Sequence, residues 1–387
     1  MTLLLYMAGH GRRCGYRHIL DAFWDEAKLA GVPLPTEEPV SAPAFCQARA
    51  KLSAEFLRSL LREVGARFDA RFEQDARWRG RRVLATDCTG LNLQRSEELL
   101  WEFGKADSAY CPQAQVSTLF NVKSRVPIDV VIARYKASER ESLLEDHLPL
   151  VARGDVLLLD RGYPGFGVFE KLLEVGADFV ARVPTKGGFS AVGDFLASGG
   201  QDRIIELVPT PGSSSISMEP LQLRAIRSKR PDGEDVVFVT TLKRSDGYSR
   251  KVIEELYHLR WEVEEHYKAF KSDYMGQGQL HSRSAAGVRQ EVLAISLFHA
   301  LSRYFSAAAA AYVDAPYDDL SNKSACLGLS GYIVRLFACA DHRAADWLRD
   351  LLVRIARTRD KKRPGRSFPR RSLRPRPKWG PAGRLRA

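Results

Sequence analysis

The chain is poor in the side chains that build soft metal sites and covalent staples. Its six cysteines, Cys14, Cys46, Cys88, Cys111, Cys326 and Cys339, are scattered with no CxxC spacing. That argues against a zinc centre or a disulfide framework and fits a reducing cytosol. Histidine is scarce, with eight in 387 residues. His147, His281 and His299 stand alone and read as caps, surface or core residues. No run of eighteen apolar residues occurs, so no membrane partner is expected. The opening MTLLLYMAG is apolar but short, with no basic residues before it, which makes a poor signal peptide.

What the chain does have is a core-forming composition and a lopsided charge. The hydrophobic share of 45% over 387 residues supports two or three domains. The formal charge is +12, yet fourteen Lys or Arg stand against one Asp between Arg354 and Ala387. The rest of the chain is therefore nearly neutral. The tail KKRPGRSFPRRSLRPRPKWG is Pro-rich with almost no aliphatic residues, so it is not expected to fold alone. Such a tail suits contact with a phosphate backbone through counterion release.

Hydrophobic periodicity divides the chain into helical and extended parts. Residues 1–78 read as a helical N-terminal domain. Ser41 and Ser53 are candidate N-caps, Pro43 fits a first helical turn, and Phe56, Leu57, Leu60, Leu61 and Val64 form an apolar stripe. From Arg82 the pattern turns to strands: RVLATDCTGLNL, then VSTLFNVKSRVPIDVVIARY as two strands around a turn near Lys123 to Arg125. A helix over Ser138 to Val151, the buried strand DVLLLD, a helix over Gly165 to Val175 and the strand DFVARVP follow. This order predicts an α/β fold with a mixed sheet over 79–183. Residues 184–249, rich in Gly, Ser and Pro, read as a β-rich insertion with strands at IIELV, LQLRAI and VVFVTTL. A signature helix is expected within 250–285, a helical region over 286–357, and a basic disordered tail over 358–387.

The densest chemistry lies in YHLRWEVEEHYKAFK, residues 257–271. At about 100° per residue, Tyr257, Arg260, Glu264 and Lys271 fall within roughly 60° of one another on a helix. Val263, Tyr267, Phe270 and Tyr274 form a neighbouring apolar stripe that reads as the buried face. Asp87 and Asp160 each follow an apolar strand-like run, and strand ends are where α/β sheets place their sites. Three acids pressed together are costly unless a dication neutralises them. Hard oxygen donors with few histidines nearby favour Mg²⁺ or Mn²⁺, and a pair of such ions suits phosphoryl transfer.

These segments resemble the DDE transposases of the insertion-sequence-4 group. ATDCTG is similar to the segment carrying the first catalytic aspartate, here Asp87, and LLLDRGYPG to the segment carrying the second, here Asp160. YHLRWEVEEHYKAFK matches the group's Tyr-x2-Arg-x3-Glu-x6-Lys signature, with Glu264 as the third acid. PVSAPAFCQARAKL, VTTL and RPGRSFPR also look familial, so the resemblance spans most of residues 40 to 370. It implies a ribonuclease-H-like mixed sheet flanked by helices, with a β-rich insertion and helical N- and C-terminal parts. It further implies cut-and-paste transposition, with donor ends freed through DNA hairpins. Asp87, Asp160 and Glu264 would hold two Mg²⁺ or Mn²⁺ ions. Tyr257, Arg260 and Lys271 would bind transposon-end phosphates.

The partners so implied are double-stranded DNA, both the terminal inverted repeats and the target, with a homodimer acting on it in a bacterial, nucleoid-associated setting. As phosphate clamps, Arg260 and Lys271 are expected to be exposed and to add little to folding. None of the six tryptophans falls between 184 and 249, so Phe189, Phe195, Phe238 and Tyr248 are the aromatic candidates for stacking on a flipped base. The segment before residue 40 is short for a dedicated end-recognition domain. An inactive or domesticated DNA-binding relative, and a ribonuclease-H-like nuclease that never joins strands, are the alternatives.

Overall fold

The computed structural model describes residues 1–10, 14–209, 219–230, 233–275, 280–337 and 343–360. The basic tail from position 361 onward lies outside them. Four helices open the chain: α1 (Thr2–His10), α2 (Tyr16–Leu29), α3 (Ala42–Ala50) and α4 (Ala54–Arg71). The hydroxyls of Ser41 and Ser53 accept from the backbone N–H groups of Ala44 and Phe56, at 3.3 and 3.0 Å, as N-caps do. Leu57, Leu61 and Phe68 carry the buried stripe of α4. Phe56 does not belong to it and is 46% exposed.

The strands are β1 (Arg77–Trp78), β2 (Arg81–Asn92), β3 (Gln113–Asn121), β4 (Val126–Arg134), β5 (Val156–Leu159), β6 (Asp178–Val183), β7 (Asp202–Leu207), β8 (Leu221–Lys229) and β9 (Asp235–Thr240). They form one nine-stranded sheet in the order β4-β3-β2-β5-β6-β9-β8-β7, with β1 beside β2. β3 pairs antiparallel with both β4 and β2, while β2, β5 and β6 run parallel. That is the mixed ribonuclease-H-like arrangement. All four residues of β5, VLLL, are buried, as a central parallel strand covered on both faces requires. Each such leucine contributes about 1.5–3 kcal/mol relative to an exposed one.

The strands within 184–249 do not stand apart. β9 pairs antiparallel with β6, and β8 and β7 follow outward, so they extend the central sheet. Buried Arg224 on β8 holds Asp202 of β7 with two bonds of 2.7 Å. It also donates to the carbonyls of Leu242 (3.1 Å) and Tyr248 (2.6 Å). Those two carbonyls belong to the stretch leading from β9 into the helix Arg250–His258.

Each sheet face has its own core. Val83, Ala85, Val156 and Leu158 join the larger cluster with α1–α4 and the C-terminal helices, while Leu84, Leu157 and Leu159 join the smaller one around Phe166–Val175. At the centre of the larger core runs the 28-residue helix Ala285–Tyr312. It is long and apolar enough to cross a membrane, but 78% of its most apolar window is buried inside the fold.

Candidate active site

Strand alternation explains how the two aspartates meet. Val83, Ala85 and Asp87 point to one face of β2. Parallel pairing of β2 with β5 ends at Ala85 opposite Leu158. Asp87 is therefore not at a strand end, since β2 runs on to Asn92 with β3 as its neighbour. It sits where the sheet splits, and Asp160 leaves β5 one residue past Leu159 beside the same split.

The signature segment is not one continuous helix. It comprises Arg250–His258, then Trp261–Ala269, then a π-turn over Phe270–Tyr274. The joint is tight: Arg260 N–H donates to the Tyr257 carbonyl at 3.0 Å, and Val263 N–H to that of Arg260 at 3.2 Å. Val263, Tyr267 and Phe270 are buried as the apolar stripe requires. The side chain of Tyr274 lies outside the described set. The Tyr267 hydroxyl donates to the carbonyls of Asp87 (2.7 Å) and Val116 (3.1 Å), which pins this helix onto β2 and β3.

The result is a convergence on one guanidinium. Arg260 lies 2.5 Å from Glu264, 3.8 Å from Asp87 and 3.9 Å from Asp160. The Tyr257 hydroxyl donates to Asp160 at 3.3 Å, and the Tyr257 ring lies against Phe238 with centroids 4.6 Å apart. Lys271 sits one step further along β2, donating to the Thr89 hydroxyl at 2.6 Å. All six residues singled out in the sequence thus fall at or beside one sheet edge. Arg260 is not the exposed cation expected of it, because its side chain is only 8% exposed. It is wedged among acids beneath Tyr257, so its removal must be felt in folding. Lys271 is half-buried, and burial holds its ammonium below its ordinary value.

Electrostatically the site carries too much negative charge. Burial pushes the Asp87 carboxyl up to about 6, with Glu139 and Glu264 adding to the rise while the Cys88 backbone N–H and Arg260 oppose it. Burial raises Tyr257 as well, and Asp160 adds to that. Burial works against the charge on Arg260, but Tyr257, Asp160, Glu264 and Asp87 more than offset it. Among the described residues, no group of three His, Cys, Asp or Glu is gathered closely enough to hold a metal ion. The donor chemistry nevertheless suits a hard dication: three carboxylates surround one positive group.

Two neighbours escaped the sequence reading. Glu139 follows the Ser138 cap, and its carboxyl is raised by burial and then by Asp160. Arg182 lies 3.8 Å from Asp160. An arginine inside the apolar strand DFVARVP was its only signal. Of the four aromatic candidates, Phe195 and Phe238 are buried. Phe189 stacks on Phe169 and Tyr248 on Trp78, with centroids 5.8 Å apart in both pairs.

The sheet order and the acids at its split define a ribonuclease-H-like protein with a carboxylate site. More narrowly, the chain belongs to the transposase DDE domain family, whose model matches residues 78–301. The matched span contains Asp87, Asp160 and the whole signature segment, and the family is one of nucleic-acid-cleaving enzymes. No curated protein matches the chain. Among solved structures it is similar to a piggyBac transposase in a synaptic complex with hairpin DNA, at 12% identity and a TM-score of 0.44. That match covers 95% of this chain and 76% of the other.

Proposed function

We propose that this protein is a DNA transposase that cleaves at the ends of its element and joins the freed ends to target DNA. The observation that carries the reading is the meeting of Asp87, Asp160 and Glu264 around Arg260, from two neighbouring strands and one helix. Asp87, Asp160 and Glu264 would hold divalent ions, Mg²⁺ or Mn²⁺. Ions held there would supply activation of an attacking oxygen and stabilisation of the leaving one in an in-line displacement at phosphorus.

The chain's own residues supply position and polarity. Tyr257 orients Asp160 through its hydroxyl, and Tyr267 fixes the backbone of Asp87. Lys271 and Arg182 flank the acids as cations that can take phosphate oxygens. Arg has the planar fork for two oxygens at once, whereas Lys offers a point charge. The basic tail adds affinity for duplex DNA without sequence preference. Cut-and-paste excision, and a homodimer on paired ends, complete the proposal.

The test is a cleavage and joining assay on oligonucleotides carrying the element's ends, with Mg²⁺ or Mn²⁺. Asp87→Asn, Asp160→Asn and Glu264→Gln should each abolish cleavage while binding to the same DNA survives. Near wild-type cleavage by any of them removes that residue from the assignment. Cut ends that are never joined would instead identify a nuclease. Deleting Arg366 to Ala387 removes eight Lys or Arg, so the slope of log affinity against log salt should flatten. An unchanged slope would exclude the tail from DNA contact.

A further inference from the structure

We infer that Arg260 is a built-in counter-ion that occupies the place of a divalent cation and must be displaced before one can bind. The inference rests on the proposed reading of Asp87, Asp160 and Glu264 as metal-holding acids, and concerns how that site is kept until it is loaded. One short ion pair and two longer ones connect Arg260 to three acids on three separate elements. Its Nε is buried with no hydrogen-bond partner. A guanidinium presents five N–H donors in a rigid fork. Here that fork has one close carboxylate and two loosely held ones, and one donor is left unused.

The charge count agrees. Three carboxylates against one guanidinium leave a net deficit of two positive charges. The Arg182 cation and the Glu139 carboxylate nearby cancel one another, and the Lys271 ammonium beside Thr89 supplies one of the two missing charges. A dication with hard-oxygen preference matches the remaining deficit in sign and ligand type. The guanidinium, within 4 Å of all three acids, repels such an ion from their oxygens. Arg260 also stands at the joint between Arg250–His258 and Trp261–Ala269, where the backbone is held by 3₁₀-type bonds. With its side chain only 8% exposed, Arg260 leaves the acids only through a change at this joint. The acids are thereby kept ordered when empty, at the cost of a competition that weakens metal binding in the absence of DNA.

The opposing view is that Arg260 is a fixed structural partner that supports the acids whether or not an ion is present. Mn²⁺ binding to the full-length, DNA-free protein separates the two. The free-ion signal in electron paramagnetic resonance reads affinity, and thermal melting at increasing Mn²⁺ gives a second readout. If Arg260 competes, Arg260→Gln binds Mn²⁺ at least about tenfold more tightly than wild type. It also melts lower than wild type without the ion and gains more from it. Arg260→Lys, which keeps a charge but reaches fewer acids, falls between the two and covers the case in which the Gln variant does not fold. Affinity unchanged or reduced in the variants overturns the inference. Asp160→Asn is the control. If it abolishes Mn²⁺ binding while the Arg260 variants bind like wild type, the acids are the ion's seat and only the counter-ion role fails. If it binds Mn²⁺ as wild type does, the metal assignment fails and the counter-ion role fails with it.

Discussion

Two charge clusters lie close together in this sheet, a buried one centred on Asp129 and a half-buried one centred on Arg260, and their central groups are of opposite sign. Around Asp129, one carboxylate is held by three bases. Arg58 grips it with bonds of 2.7 and 2.6 Å, Arg62 donates at 2.9 Å, and the His147 ring lies 3.0 Å away. Around Arg260, three carboxylates share one base. Burial pushes both aspartates toward the neutral form. At Asp129 the bonds from Arg58, His147 and Arg62 more than offset it, and the carboxyl is held well below its ordinary range. At Asp87 burial wins, and the carboxyl rises to about 6. The first cluster ties α4 to β4 and to the turn bearing His147. The second is left short of positive charge, as sites that await a ligand commonly are.

The Asp129 cluster also shows why side-chain order alone is a poor sign of chemistry. Ser117, His147 and Asp129 follow the hydroxyl–imidazole–carboxylate sequence of a hydrolase, at 2.9 and 3.0 Å. All three are buried to within 1% of full enclosure. No substrate reaches the Ser117 hydroxyl, and the array serves as packing.

The contrast has measurable consequences. Asp129→Asn should have the largest effect on stability, a loss of about 3–5 kcal/mol in denaturant unfolding, because it takes the fully buried carboxylate away from Arg58, Arg62 and His147 and leaves the two arginines only the more exposed Glu55 and Asp146. A loss under about 1 kcal/mol would mean that this cluster is not the anchor described. Asp87→Asn should act in the opposite direction. The folded-state pKa of Asp87 lies above its ordinary 3.8, so the protonated form favours folding. That contribution is complete below 3.8 and lost as the pH rises through about 6. At pH 7 the Asn variant should therefore be more stable than wild type by about 1–3 kcal/mol, with the gap closing toward pH 4. A variant that is less stable at pH 7, or a gap independent of pH, would contradict the charge excess. Lys271→Ala should change least, within about 1 kcal/mol, since Lys271 makes one bond to Thr89 from a half-buried position. A larger loss in melting would make Lys271 a folding residue rather than a spare cation.

Much of the site was legible in the sequence because its spacing survived a broken helix. Ideal periodicity placed Tyr257, Arg260, Glu264 and Lys271 on one stripe. The tightened turn at Arg260 and the widened π-turn at Phe270–Tyr274 shift the phase in opposite directions, so the stripe persists. The strands were legible from apolar runs such as VLLL, and the caps from Ser41 and Ser53. Burial of Arg260 was not legible, since it depends on Asp87 and Asp160 arriving from other strands. The Asp129 cluster was hidden for the same reason: Arg58, Arg62 and His147 are far from Asp129 in sequence and meet it only in the folded chain. Nor could periodicity show that β9 would pair with β6, because strand patterns give a face and not a neighbour.

That β6–β9 pairing, together with Arg224, bears on how this chain can diverge. The three outer strands are stitched to the entry of the signature segment through the carbonyls of Leu242 and Tyr248. A lineage could lengthen the far turns of those strands freely. It could not exchange the block for a foreign cassette without also replacing the splint that sets Tyr257 over Asp160. The border of the sheet and the acid-bearing edge are thus expected to change together, as one unit.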